Sequence, residues 1–253
     1  MARNPNPPSP FSAYKRYRRE FEHSYVFGAS PTVELLRSRP EQVIRVLVSE
    51  DFHPKDPTLL NLCEQQHIPW EYNGTLLRRL TPKENCLAVG VLRKQIGTLE
   101  EQENHIVLVH PSDMGNLGTV LRTAVGFGLS QIAVIRPGAD CFDPKAVRAS
   151  MGALFRADVA YFDCFEDYTR CFPHRILYPF LLSDRATPLP QVQPEVPFSL
   201  IFGNESSGLD PQFEAIGIPV IIPHTQNIDS LNLSIAAGIG MYHFTTYFSN
   251  GKE

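Results

Sequence analysis

Short apolar runs alternate with amphipathic stretches along most of this chain, and the alternation predicts strands and helices in turn. Ser30-Pro31 opens a short helix through Leu36, with Ser30 as N-cap and Pro31 in the first helical position. Val43 to Val48 reads as a strand, and Pro57 to Gln66 carries Leu59, Leu60, Leu62 and Cys63 at helical spacing. A strand around Trp70, a helix around Leu76 to Leu80 and a strand from Leu87 to Leu92 complete a small α/β layer. Gln95 to Asn104 is polar and acidic and reads as a linker.

Beyond it the apolar runs become continuous, as in strands buried on both faces. Ile106 to Val109, Ile132 to Ile135, Val159 to Tyr161, Leu200 to Phe202 and Val220 to Ile222 are such strands. A helix is expected from about Leu117, ended by Gly128, and a last one from about Ser230 to Phe248. Apolar strands separated by helices predict an α/β fold with a mainly parallel sheet covered on both faces.

Composition narrows the class without naming a function. At 253 residues, 43% apolar and 20% charged, the chain can bury a substantial core. No run approaches the length of a membrane span. The polar, proline-rich start lacks the apolar core of a signal peptide, and residues 1–12 bury too little to be ordered. Five cysteines, odd in number and without a CxxC pair, argue against a disulfide framework and a zinc site, so a reducing cytoplasm is the expected setting. The net charge of −4 disfavours nucleic acid until it is divided. Residues 1–94 hold 14 Lys/Arg against 10 Asp/Glu, and residues 95–253 hold 9 against 17. Any RNA affinity therefore belongs to the N-terminal part. There Lys15, Arg16, Arg18 and Arg19 cluster with Tyr14 and Tyr17, as a phosphate-and-stacking patch or as a solvated turn of a basic helix.

Candidate chemistry gathers in three loops at strand ends. In Asn116-Leu117-Gly118-Thr119-Val120-Leu121-Arg122, Asn116 can cap a helix and Gly118 lets the backbone approach a ligand or a neighbouring chain. Arg122 follows one turn beyond Gly118, where it can hold an RNA phosphate or simply be solvated. In Phe202-Gly203-Asn204-Glu205-Ser206-Ser207-Gly208, the two glycines free main-chain groups to face a ligand, and Glu205 can orient Asn116 or Arg122. The third loop runs from Ile222 to Ser234. Asp229 or Ser230 is expected to cap the last helix with Asn232 in its first turn, and Ser230 can share a pocket with Asn232 only from the loop. Ala236, Ala237, Gly238 and Gly240 then allow tight packing, which a core or a dimer interface would use.

Taken in this order, the loops resemble the three motifs of the SpoU (TrmH-type) RNA ribose 2′-O-methyltransferases of the SPOUT superfamily. Val147-Arg148-Ala149-Ser150-Met151-Gly152-Ala153 is also similar to the family's pattern. The N-terminal layer resembles the L30e-like substrate-binding domain fused to many members. The resemblance implies a basic extension over 1–24, flexible or helical, an L30e-like domain over 25–94, a linker over 95–104 and a catalytic domain over 105–253. It implies a deep trefoil knot near residues 200 to 235, which general folding rules would not anticipate. It further implies S-adenosylmethionine bound largely through backbone at Gly203, Ile222 and Leu231, a homodimer, and no metal. Arg122, Asn116, Glu205, Ser230 and Asn232 would form the catalytic set, and structured RNA the substrate, ribosomal more readily than transfer RNA. The alternative is a non-catalytic RNA-binding assembly factor, against which the intact set speaks. A dinucleotide-binding domain is excluded, because Gly115-Asn116-Leu117-Gly118 lacks the third glycine of that fingerprint. One departure stands out. After Ile222-Pro223 the family commonly has a methionine and a glycine-rich turn, where this chain has His224-Thr225-Gln226-Asn227. His224 is expected to be a peripheral loop histidine, unless it touches the substrate.

Overall fold

The computed structural model describes residues 14–52, 57–81, 86–225 and 227–249. The expected unstructured residues 1–12 and the segment Pro82 to Asn85 lie outside the described residues. The chain folds as two compact units divided between Lys94 and Gln95.

The N-terminal unit contains β1 (His23–Phe27), α1 (Ala29–Ser38), β2 (Val43–Val48), α2 (Thr58–Gln65), β3 (Trp70–Tyr72), α3 (Gly74–Leu80) and β4 (Ala88–Arg93). Its sheet has the order β1-β4-β2-β3, with β4 antiparallel to both neighbours and β3 parallel to β2. Strand β1 was not anticipated, and it moves the start of this unit upstream of residue 25. Ser30 is not the cap of α1. Gly28 holds that position at φ +108, and the Thr32 hydroxyl donates to its carbonyl at 2.7 Å.

The basic segment is not helical either. Tyr14 is buried in the core, edge-on to Tyr25, and so cannot stack on a base. The Tyr25 hydroxyl donates to the Lys15 carbonyl at 2.7 Å, Arg79 to the Tyr14 carbonyl at 2.7 Å and Lys94 to the Arg19 carbonyl at 2.8 Å. These bonds strap residues 14–19 to the unit and leave the Lys15, Arg16, Arg18 and Arg19 side chains exposed.

The C-terminal unit contains β5 (His105–Val109), α4 (Met114–Gly126), β6 (Gln131–Ile135), α5 (Pro144–Ala149), β7 (Asp158–Phe162) and α6 (Phe165–Cys171). It continues with β8 (Ile176–Phe180), β9 (Thr187–Pro188), β10 (Phe198–Phe202), β11 (Val220–Ile221) and α7 (Leu233–Ser249). The sheet order is β7-β6-β5-β10-β8-β11-β9, and every pairing in it is parallel. Strand β8 escapes a sequence pattern because Pro179 interrupts it, and proline cannot donate to a ladder. It is tolerated here where β11 pairs with β8 only at Phe180. Two helices lie close for want of a side chain. A Cβ on Gly118 would sit 2.4 Å from the Ala146 carbonyl, so this glycine serves the contact of α4 with α5 within the chain. A Cβ on Gly240 would sit 2.8 Å from the Phe180 ring.

The expected linker, residues 95–104, is part of this unit rather than a free connection. Gly97 N–H donates to Val159 O at 2.9 Å, Glu100 N–H to Gln131 Oε1 at 2.9 Å, and Asn104 Oδ1 accepts from Phe198 N–H at 2.9 Å. A buried polar chain anchors it at the N-terminal ends of the strands. Arg175 Nε donates to Ser199 Oγ at 2.8 Å, Ser199 meets the Tyr168 hydroxyl at 2.6 Å, and that hydroxyl meets His105 Nδ1 at 2.9 Å. His105 Nε2 pairs with the Glu100 carbonyl at 2.9 Å, which can only accept, so this nitrogen carries the proton. Burial first, then the Arg175 charge, lowers the His105 pKa to about 4, so the ring is neutral and Nδ1 accepts. Arg175 also donates to the carbonyls of Glu101, Glu103 and Phe198. Arg175→Leu leaves the buried Phe198 carbonyl and the Ser199 hydroxyl without their donor and releases the strap at Glu101 and Glu103, and urea unfolding should show a loss of about 3 kcal/mol. A change below about 0.5 kcal/mol would show that the anchor carries no stability.

Candidate active site

Because the strands are all parallel, their C-terminal ends share one edge of the sheet, where ligands of open α/β sheets bind. Strand β10 lies between β5 and β8, and β8 pairs with β11. The three loops read in the sequence leave β5, β10 and β11, so they converge on this edge.

The first loop enters α4 through Asp113, not Asn116. Asp113 is the N-cap, its Oδ1 accepting from Asn116 N–H at 2.8 Å while its Oδ2 pairs with Lys145 Nζ at 2.7 Å. The Lys145 hydrogen bond and the one from Asn116 hold the Asp113 pKa below the usual carboxylate value. Asp113, three residues before Asn116, is itself a legible cap signal, and in isolation the two residues compete for the role. As an N-terminal helix residue, Asn116 is free to turn its side chain to the other loops.

The second loop closes on itself. Asn204 and Gly208 exchange backbone hydrogen bonds at 3.1 and 2.9 Å, and Asn204 Oδ1 accepts from Ser206 N–H at 2.8 Å. Gly203 is obligatory, since a Cβ there would lie 2.2 Å from the Gly208 carbonyl carbon. Asn204 Nδ2 donates to the His110 carbonyl at 2.7 Å, which fastens this loop to the end of β5. Nothing in the sequence pattern distinguished that role for Asn204.

Glu205 completes the connection. One carboxylate oxygen accepts from Ser112 N–H at 2.9 Å and Ser112 Oγ at 2.8 Å; the other accepts from Asp113 N–H at 3.1 Å and Asn116 Nδ2 at 3.2 Å. Partial burial raises the Glu205 pKa, but the bonds from Ser112 and Asp113 outweigh it and the net shift is downward. Of the two partners considered from the sequence, Glu205 orients Asn116 and not Arg122. The third loop joins the same chain, with Asn232 Nδ2 donating to Asn116 Oδ1 at 3.1 Å. Helix α7 starts at Leu233, later than expected. Asn232 is its cap, Oδ1 accepting from Ser234 N–H at 2.9 Å and Ser234 Oγ at 2.7 Å. Ser230 accordingly lies in the loop.

Beside this hydrogen-bonded chain is a cavity of about 450 Å³. Gly203, Ile222 and Leu231 line it together with Glu205, Ser230 and the rings of Phe180 and Phe202. His224 lines it too, so it is no peripheral histidine. Arg122 is the one member of the set that belongs neither to the cavity lining nor to the hydrogen-bonded chain. It is exposed on α4, and among the described residues its guanidinium has no hydrogen-bond or ion-pair partner.

The family model described as the SpoU rRNA Methylase family matches residues 103–242, more than half of the chain. The chain belongs to the SpoU family. It is 31% identical over 134 residues to the 23S rRNA (guanosine(2553)-2'-O)-methyltransferase RlmP of Bacillus subtilis, covering 52% of this chain and 53% of that protein. An uncharacterized tRNA/rRNA methyltransferase of Archaeoglobus fulgidus is 25% identical over 205 residues, 79% of this chain and 90% of that one. The AdoMet-bound rRNA methyltransferase from Sinorhizobium meliloti shares the fold, with a TM-score of 0.77 at 24% identity over 89% of this chain and 88% of that chain. The chain spans about half the length of the curated relatives it matches first, the Bacillus protein among them. The SpoU match takes in all three loops and the whole of β5 to β11.

The lowered Glu205 pKa makes the loop junction acid-sensitive. A depressed folded-state pKa stabilises the fold fully above the unfolded value of about 4.3, and that contribution is lost as pH falls through the folded value. Glu205→Gln should therefore flatten the fall of the urea midpoint below about pH 4.3. An acid limb as steep as that of the wild type would remove Glu205 from the junction.

Proposed function

We propose that this SpoU-family chain is an S-adenosylmethionine-dependent RNA ribose 2′-O-methyltransferase. The observation that carries the reading is the cavity at the C-terminal edge of the sheet, flanked by the chain Asn232–Asn116–Glu205. Its volume suits a nucleoside-sized ligand. Phe180 and Phe202 offer apolar faces for a purine, the Gly203 backbone is unshielded by a side chain, and Glu205, Glu214 and Asp229 offer negative charge to a sulfonium cation. The knot expected over residues from about 200 to 235 belongs to the same proposal, supported by loops from β10 and β11 lining one cavity.

When bound, S-adenosylmethionine supplies a methyl group already activated by positive sulfur. Transfer forms the ribose O–CH₃ bond and breaks the S–CH₃ bond, so the hydroxyl proton has to leave and no metal is needed. Glu205 is a poor candidate to take it, because its carboxylate is held ionised at low pKa and its oxygens are already engaged by four donors. An arginine guanidinium has no free base form at neutral pH. Arg122 instead clamps a substrate phosphate and polarises the hydroxyl, and the proton leaves to solvent as the O–CH₃ bond forms, directly or by way of that phosphate. Its exposure, and the lack of a partner for its guanidinium among the described residues, suit a group that meets RNA. Asn116, oriented by Glu205 and Asn232, and Ser230 at the cavity wall position the nucleophile.

The assembly is a homodimer in this reading. Ile235, Ile239 and Tyr242 lie on one face of α7 at helical spacing and are 55%, 37% and 59% exposed, which is costly for an isolated chain. A Cβ on Gly238 would lie 3.6 Å from the Thr123 methyl, so α4 passes α7 here, and Arg122, next to Thr123, comes near the interface in this dimer. The N-terminal unit, L30e-like by resemblance, holds structured RNA, with Lys15, Arg16, Arg18 and Arg19 binding phosphates; Tyr14 takes no part. Ribosomal RNA is the preferred class and transfer RNA the second. The five cysteines are free thiols, which suits a reducing cytoplasm. No helix among the described residues is long and apolar enough to cross a membrane.

The deciding experiment transfers labelled methyl groups from S-adenosylmethionine to unmodified total RNA, fractionated by size. Wild type should label one RNA class, and Arg122→Ala should lose about a hundredfold or more in rate while binding S-adenosylhomocysteine normally. Lost cofactor binding in the variant would overturn the role of Arg122. No label in any class would favour a non-catalytic RNA-binding assembly factor with this fold. Changing Lys15, Arg16, Arg18 and Arg19 together to Ala should weaken RNA binding and shallow its salt dependence, by roughly one unit of slope for each phosphate no longer neutralised. An unchanged slope would make the cluster a solvated face.

A further inference from the structure

Helices α4 and α5 form a layer without a carboxylate inside a unit that is acidic as a whole. Residues 95–253 hold 17 Asp/Glu against 9 Lys/Arg. Residues 114–139 and 144–157 nevertheless hold no Asp/Glu and five of those cations: Arg122, Arg136, Lys145, Arg148 and Arg156. A division of charge by halves of the chain averages over this layer and hides it. Cations gathered in this way favour a polyanion locally, whatever the net charge of the unit.

The five cations are not equally available. Arg136 pairs with Asp163 at 2.8 Å and Lys145 with Asp113 at 2.7 Å, and Arg156 has contacts within the fold. Arg122 and Arg148 are exposed, and neither guanidinium has a hydrogen-bond or ion-pair partner among the described residues.

Helix packing places these two side by side. A Cβ on Gly115 would lie 3.6 Å from Lys145 Cε, and one on Gly118 would lie 2.6 Å from Ala149 Cβ and 3.0 Å from Ser150 N, so α4 and α5 run alongside each other in the same direction. Arg148 therefore leaves α5 level with Gly118. Arg122 follows one turn later on the same face of α4, roughly 5.4 Å further along. Lys145 shares a face of α5 with Arg148 and ties that helix to Asp113, whose N–H is held by Glu205. Arg148 is thus fixed relative to the loop junction without lining the cavity.

We propose that Arg148 is a positioning residue that grips a second phosphate of the substrate strand, beside the one held by Arg122. The inference rests on RNA being the substrate and deepens that reading. A guanidinium matches a phosphate bidentately, and two grips on one strand fix its direction as well as its place. Arg148 stands apart from the donor cavity, so its loss shows in RNA binding and not in the affinity for S-adenosylhomocysteine.

The test is filter binding of unmodified total RNA, fractionated by size, to the full chain over a series of salt concentrations, with calorimetric titration of S-adenosylhomocysteine beside it. Arg148→Ala should bind RNA about tenfold more weakly, with a salt slope shallower by about one unit, and should bind S-adenosylhomocysteine as the wild type does. Arg148→Lys keeps the charge and should restore the slope and part of the affinity. Arg170→Ala removes an exposed cation paired with Asp167 on α6 and should leave RNA binding unchanged. Unchanged affinity and slope in Arg148→Ala would overturn the assignment. An equal loss in Arg170→Ala would overturn it in favour of net charge, and lost S-adenosylhomocysteine binding in Arg148→Ala would overturn it in favour of a structural role. A wild type that binds RNA but transfers no methyl group would sink the methyltransferase reading and leave this inference to the variants. A wild type that binds no RNA would overturn the inference outright.

Discussion

The site depends on one carboxylate. Glu205 reaches from the loop after β10 to two successive backbone N–H groups, a hydroxyl and an amide at the start of α4. These are charge-assisted bonds, stronger than neutral ones, and they offset the cost of half-burying the charge. Each partner then passes the constraint on. Asp113, gripped through its N–H, caps α4 and pairs with Lys145 on α5. Asn116, gripped through its amide, fixes Asn232, which starts α7. Three helices and two loops thus take their positions from a single side chain.

The two ends of the parallel sheet carry opposite kinds of polar chemistry. At the N-terminal ends of the strands, Arg175, Ser199, Tyr168 and His105 form a directed chain in which each donor has its acceptor. That end is closed, and the strap over residues 95–104 seals it. At the C-terminal ends, Ser230 and one ring nitrogen of His224 have no partner among the described residues, and both residues line the cavity. A buried and satisfied network rigidifies, whereas an open one is available to a ligand. A satisfied network at one end gives the sheet a rigid base from which the loops at the other end are held.

Two histidines illustrate how context divides one residue type. His105 is buried, neutral and saturated by Tyr168 and Glu100, and it holds structure. His224 fixes its ring through one nitrogen on the Ile222 carbonyl and lines the cavity. Neither role follows from composition. Charge behaves similarly, since the basic surplus of residues 1–94 is held on a strap whose backbone and tyrosines, not its basic side chains, bind the N-terminal unit.

Periodicity alone determined the α/β class, the parallel arrangement of the C-terminal sheet and the approximate place of β2, β4, β5, β6, β7, β10 and β11, because buried strands must be continuously apolar. The three loops were legible for a related reason: glycine, amide and hydroxyl residues at strand ends have few structural tasks there. Strands β1 and β8 were hidden, the first by a mixed polar-aromatic pattern and the second by Pro179, whose cost vanishes only where a neighbour is short. Helix caps were misplaced at Ser30, Asn116 and Asp229 or Ser230, since several residues near each start could cap equally well in isolation. Tertiary contacts chose Gly28, Asp113 and Asn232 among them. Only the fold could show that Glu205 holds Asn116 rather than Arg122, that residues 95–104 are a strap, and that His224 faces the cavity. Each of these is a pairing between residues distant in the chain, or between a side chain and a cavity that no local pattern encodes.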